Sequence, residues 1–171
     1  APLTIAAGAD VRLTGGSFTN VGITGPGSAR LSGGSFDGLD IGGSAFVAGT
    51  NSSFVSVRVD GGLNVDGLLE LRSGGNANLR FSGPQTVEGE GTLRLGSGVN
   101  EATTTLNNTV ILDSQTTEGS EILTFGEMLT IEGAGRITTS RGEDAIRILG
   151  EVVGRDNGTD KALVLERVDQ A

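Results

Sequence analysis

The chain has 171 residues, enough for one domain with a real core, but 30 glycines, 4% aromatics and no Tyr or Trp deny it the large anchors of an ordinary globule. Its 36% apolar residues are too many for disorder, and its net charge of −9, with Lys161 the only lysine, leaves no basic patch for nucleic acid or anionic lipid. Without Cys there is no disulfide framework or thiolate chemistry, without His the commonest general base and metal ligand is gone, and no apolar run approaches the roughly 20 residues of a membrane span.

The chain starts at Ala1 without a basic-then-apolar leader, so it reads as a processed protein or an excised piece of a longer one. Repetition follows at once. "GGSFTNVGI" at Gly15 to Ile23 returns as "GGSFDGLDI" at Gly33 to Ile41, and its skeleton returns again in "SFVSVRV" at Ser53 to Val59. Phe18, Phe36 and Phe54 are eighteen residues apart, and the same interval links Val21, Leu39 and Val57, and Ile23, Ile41 and Val59. These form three expected apolar columns. Arg12-Leu13 and Arg30-Leu31 make a fourth, each leading toward a Gly-Gly pair.

Beyond Val59 the period lengthens. Leu79 and Phe81 continue the Val57 and Val59 columns, twenty-two residues on. A second family appears in "LNVDGLLELRSG" from Leu63, "TVEGEGTLRLGSG" from Thr86 and "TIEGAGRITTSRG" from Thr130, with Val65, Val87 and Ile131 as its expected column and Val110 near the missing midpoint. "ILTF" at Ile122, "AIRI" at Ala145 and "LVL" at Leu163 extend the series. Every unit alternates apolar and polar residues with period two, which is the strand signal, and no window carries a helical stripe. Residues 150–171 flank Asn157-Gly158, a tight-turn pair, and read either as a terminal hairpin over the last coil or as one more coil.

Short strands that turn every five to eight residues cannot each bury a face alone, but stacked coil on coil they can. The expected fold is therefore all-β: a right-handed parallel β-helix, or β-solenoid, of about 7–8 coils of 18–23 residues, forming one domain over residues 1–171 that is expected to be part of a longer surface protein. A left-handed helix would show a hexapeptide rhythm, whereas the steps here are unequal. An antiparallel sandwich is the competitor. The ends of such a solenoid are open strand edges, so a longer array or covering partners are expected there.

"TVEGEGTLRLGSG", "LTIEGAGRITTSRG" and "LTFGEMLTIEG" resemble the coils of secreted bacterial right-handed parallel β-helix proteins, of the kind found in autotransporter passengers and filamentous-haemagglutinin-like adhesins. The resemblance runs from about Val11 to Leu149. It implies export, an extracellular or cell-surface location, and a structural or adhesive role, and it transfers no functional residue.

The remaining chemistry is that of carboxylates. Asp37 with Asp40, Asp60 with Asp66, Glu88 with Glu90, and Glu143 with Asp144 are the pairs that a glycosidase or a calcium-assisted lyase would use, set against the plainer reading of solvated faces. "GGLNVDGL" at Gly61 to Leu68 partly matches a calcium nonapeptide, but Asn64 stands where the third glycine belongs and the motif occurs once. "GEGTLRLGSG" has no Lys-Ser/Thr to follow it as a phosphate loop would. Thr103 to Thr105, Thr116-Thr117 and Thr138-Thr139 are too unevenly spaced for a flat ice-binding lattice, and Asn107-Asn108 has no second copy to build an asparagine stack. The expectation is thus a non-catalytic module with no catalytic, cofactor or metal residues. Its expected partners are a polysaccharide or protein at the cell surface, or a second copy through the solenoid ends, with no nucleic acid and no membrane insertion; a polysaccharide-binding or polysaccharide-degrading acidic face is the alternative.

Overall fold

The computed structural model describes residues 1–48, 54–72, 76–96, 108–117, 120–154 and 163–169. Among them every regular element is a strand. The chain opens with β1 (Leu3–Thr4), β2 (Asp10–Leu13) and β3 (Ser17–Thr24), followed by β4 (Ser28–Leu31), β5 (Gly34–Ile41) and β6 (Ser44–Val47). Next come β7 (Val55–Val59), β8 (Leu63–Val65) and β9 (Leu68–Leu71), then β10 (Ala77–Ser82), β11 (Gln85–Glu88) and β12 (Thr92–Leu95). β13 (Thr109–Asp113), β14 (Ile122–Phe125) and β15 (Thr130–Gly133) precede β16 (Gly135–Thr139), β17 (Ala145–Ile148) and β18 (Glu151–Gly154), and β19 (Leu163–Leu165) is the last.

Two sheets result. The smaller has seven strands in the order β2-β4-β6-β9-β12-β15-β18. The larger has twelve and turns back at β5, with β8, β11, β14 and β17 on one arm and β7, β10, β13, β16 and β19 on the other. All pairings between these strands are parallel. That rules out an antiparallel sandwich and is consistent with a β-solenoid, since neighbours in space lie one pass of the chain apart. The two arms and the smaller sheet enclose the core, and alternation sends every second side chain into it.

The inward residues form columns. One runs Phe18, Phe36, Val59, Phe81, Leu112, and another Val21, Leu39, Leu63, Val87, Phe125, Ile148. The smaller sheet contributes Val11, Ala29, Ala45, Leu69, Leu93, Ile131, Val152. Ala29, Ala45, Leu69, Leu93 and Ile131 are fully buried, as are Phe36, Phe81 and Phe125. Phe18 stacks on Phe36 with ring centroids 4.8 Å apart.

The eighteen-residue interval holds for the first two copies and for the Arg12-Leu13/Arg30-Leu31 column, and then fails. Phe54 does not join Phe18 and Phe36: it is 59% exposed, and Phe36 faces Val59 instead. Val57 lies opposite Gly34, not Leu39. The reason is that the third pass is longer on this side, so an eighteen-residue ruler stops five residues short. Leu79 and Phe81 do continue Val57 and Val59. Val65, Val87 and Ile131 do not form a column: Val87 faces Leu63, and Ile131 faces Leu93 in the other sheet, because similar-looking units here belong to different sides of the coil. The segments flanking Asn157-Gly158 do not pair with each other. β18 sits on β15 and β19 on β16, in different sheets; the turn pair itself lies outside the described residues.

Backbone approach shapes the corners. Asn20 and Gly38, neighbours across β3 and β5, share a left-handed conformation with Gly62, with φ of 51°, 78° and 95°. This is the bend at which the single strand β5 gives way to separate β7 and β8 in the next pass, and Asn is the non-glycine residue that tolerates it best. At the corner leading into the smaller sheet, a Cβ on Gly67 would collide with the carbonyl oxygen of Gly43.

Candidate functional site

The outward residues of one arm of the larger sheet line up as Gly22, Asp40, Asn64 and Glu88. Their strands alternate, so while Leu39, Leu63 and Val87 point inward these side chains must point to solvent. Asp66 and Glu90 occupy the adjoining corner. Asn64 ties the strip together: its Nδ2 donates to Asp40 Oδ1 at 3.0 Å and to Asp66 Oδ2 at 2.9 Å, while the Glu90 backbone N–H donates to Asp66 Oδ1 at 3.4 Å. Two shallow grooves adjoin along this strip. The first, of about 620 Å³, is bordered by Asn20, Gly38, Asp40, Asn64 and Glu88, and the second, of about 530 Å³, by Asp66, Glu88, Glu90, Glu127 and the exposed Met128 and Leu149.

The structure therefore assembles four of the sequence candidates, Asp40, Asp66, Glu88 and Glu90, into one strip, in which only Glu88 with Glu90 keeps a pairing that sequence neighbourhood proposed. Asp37 lies across the Gly38 bend from Asp40. Asp60 belongs to the other arm, where the backbone N–H donates to the Phe36 carbonyl. Burial alone would raise the Asp60 carboxyl, but the hydroxyl of Ser35 and the Arg58 guanidinium, both hydrogen-bonded to it, outweigh that and hold it at about 2. That makes Asp60 a fixed anion. Glu143 is exposed beside Arg141 at 3.3 Å, while Asp144 is buried and accepts the Glu121 N–H at 3.0 Å. The Glu121 carboxylate in turn accepts the Gln115 N–H, so Glu121 and Asp144 tie down corners from inside.

Chemically, the strip offers carboxylate and amide oxygens to hydroxyl groups or hydrated cations. General acid catalysis asks for a desolvated carboxyl, and Asp40, Asp66, Glu88 and Glu90 all stand exposed. Among the described residues no cluster of three or more acidic side chains is arranged to hold a metal ion, Asp66 of the nonapeptide-like segment included. Thr103 to Thr105 and Asn107 lie outside the described residues. Thr138 donates to Glu166 and Thr139 to the Arg141 carbonyl, so this pair serves the fold's own contacts.

Sequence reasoning missed a second surface. On the smaller sheet the outward column reads Arg12, Arg30, Phe46, Glu70, Arg94, Glu132. Arg94 Nε meets Glu132 Oε1 at 2.5 Å, Arg72 Nε meets Glu70 Oε2 at 2.9 Å, and the Arg72 guanidinium lies 3.7 Å over the Phe46 ring. Glu70 and Glu132 are buried despite facing outward. The signal was present as the central residue of "ARL", "LEL", "LRL" and "IEG", but it becomes a ladder, alternating in sign over Glu70, Arg94 and Glu132, only once the register is known. On the larger sheet Arg80 holds Asp113 with two donors, at 2.5 and 2.6 Å, and that hydrogen bonding raises the Arg80 pKa.

No family model, curated protein or solved structure matches this chain.

Proposed function

We propose that the chain is a non-catalytic structural or adhesive module, a right-handed parallel β-helix belonging to a bacterial secreted or cell-surface protein. The observation that carries this reading is the division of labour between the two kinds of position: inward columns are continuous and apolar, and outward charges such as Arg80 with Asp113 and Arg94 with Glu132 pair with one another between successive strands. Such a molecule gains length and stiffness from each added pass without needing a site. The strong preference of parallel strand connections for the right hand supports the handedness, and the seven strands of the smaller sheet support a count of about 7–8 coils. The resemblance to autotransporter-passenger and haemagglutinin-like coils supports export and a surface location.

A second reading, a polysaccharide-binding or polysaccharide-degrading face, is favoured by the adjoining grooves along Asp40, Asn64, Asp66, Glu88 and Glu90. A panel of acidic and neutral polysaccharides, assayed with and without calcium, separates the two. The structural reading expects no cleavage of any of them. Reproducible cleavage lost in Asp66→Asn or Asp40→Asn would overturn it in favour of the enzyme, and saturable binding lost in Asp40→Asn/Glu88→Gln, without cleavage, would make the strip a glycan-binding face.

A further inference from the structure

We propose that the chain associates head to tail with a second copy of itself, β2 of one molecule adding in parallel to the free edge of β18 of the next. These strands are the two edges of the seven-stranded sheet: within the described residues β2 is paired only to β4 and β18 only to β15. Both carry the same inward columns, Val11 being continued through five strands to Val152, and Leu13 to Gly154. One further step of about 4.8 Å along the stack would therefore put Val11 of a second copy over Val152 in the register that the sheet already uses. Among the described residues no strand pairs with the outer edge of β18. Val152 is 39% exposed and Leu165 37%, whereas Leu69, Leu93 and Ile131 in the Val152 column are at 0%. At the head, Val11 and Leu13 are likewise only partly buried against the core.

A second copy suits this face because what is missing there is a strand with the inward pattern of β2 and unpaired backbone groups of its own. Leu13 would lie opposite Gly154, as Leu95 already lies opposite Gly133 within the sheet. The contact joins two different surfaces, so it does not close into a ring and builds linear oligomers. One feature opposes it: Asp10 would lie beside Glu151, and like charges directly opposite are unfavourable. Association is thus concentration-dependent and not permanent.

The test is sedimentation velocity of the 171-residue chain over a range of concentrations, with circular dichroism to verify folding. The expected result is a mean mass that rises with concentration. Val11→Arg and Val152→Arg, each blocking one end, should be monomeric alone and form a dimer, but nothing larger, when mixed. A register-specific trap uses the absence of native cysteine: Asp10→Cys mixed with Glu151→Cys should give a disulfide-linked heterodimer on mild oxidation, and neither variant should cross-link to itself. A wild-type chain that stays monomeric throughout, end-blocked variants that still self-associate, or a trap that does not close would each overturn the proposal.

Discussion

Phe36 is completely buried, with the Phe18 ring stacked 4.8 Å away on one side and Val59 opposite it in the next strand. Truncating it empties a ring-sized volume that neighbours held in parallel register cannot close, so Phe36→Ala should cost about 3–5 kcal/mol in a urea denaturation series. Phe54→Ala should stay within about 0.5 kcal/mol in the same series, because the exposed ring has little packing to lose. Asp60 offers a test of a different kind. Its carboxyl is held at about 2, below the ordinary value of 3.8, so the folded state favours the charged form. The stability this contributes is therefore present above pH 3.8 and disappears as pH falls through about 2. The difference in melting temperature between the wild type and Asp60→Asn should shrink over that interval, and a constant difference would show that the Ser35 and Arg58 contacts do not select the anion.

The strands are too short to stand alone, and each is held by its two neighbours and by the corners that aim it. Gly67 is such a corner: a methyl group would strike the Gly43 carbonyl oxygen, which is itself fixed by accepting the Leu68 N–H, so Gly67→Ala should lose well over about 1 kcal/mol. On the smaller sheet, Arg94 faces the buried Glu132 at 2.5 Å. Arg94→Met keeps most of the side chain's bulk but withdraws the cation, and should cost about 2–3 kcal/mol. If Arg94→Met/Glu132→Met is then more stable than the single variant, the cost came from the buried carboxylate's loss of Arg94 and not from lost packing. Such contacts let an acidic chain carry charge on closely stacked strands: Glu70, Arg94 and Glu132 alternate in sign on the smaller sheet, and on the larger one Asn64 interposes an amide between Asp40 and Asp66.

Taken as a whole, the molecule is a stack in which each pass contacts chiefly the ones before and after it, so protection should depend on position along the axis. In hydrogen exchange, amides of β18 and β19, whose inward residues Val152 and Leu165 are exposed, should exchange well before those of β8, β9, β11 and β12. Uniform protection from end to end would mean that the tail is covered in solution, and the end-blocked variants would then show by what.

Alternation of apolar and polar residues, recurrence of the triplet at Phe18 and Phe36, and glycine at the corners are local facts, and they were enough for strands, parallel stacking and the inward set of the first two passes. They were enough because stacking in register makes each inward position answer to the same position one pass away. Beyond Ile41 that ruler failed, since a loop can lengthen on one side of a coil at little cost while the strands keep their faces. Only the tertiary structure could decide that Val59 and not Phe54 lies on Phe36, that Val87 and Ile131 belong to different sheets, and that Asp40, Asp66, Glu88 and Glu90 share one strip while Asp60 and Asp144 do not. Such neighbourhoods depend on where each pass closes, and closure is a property of the whole coil and of no single stretch of residues.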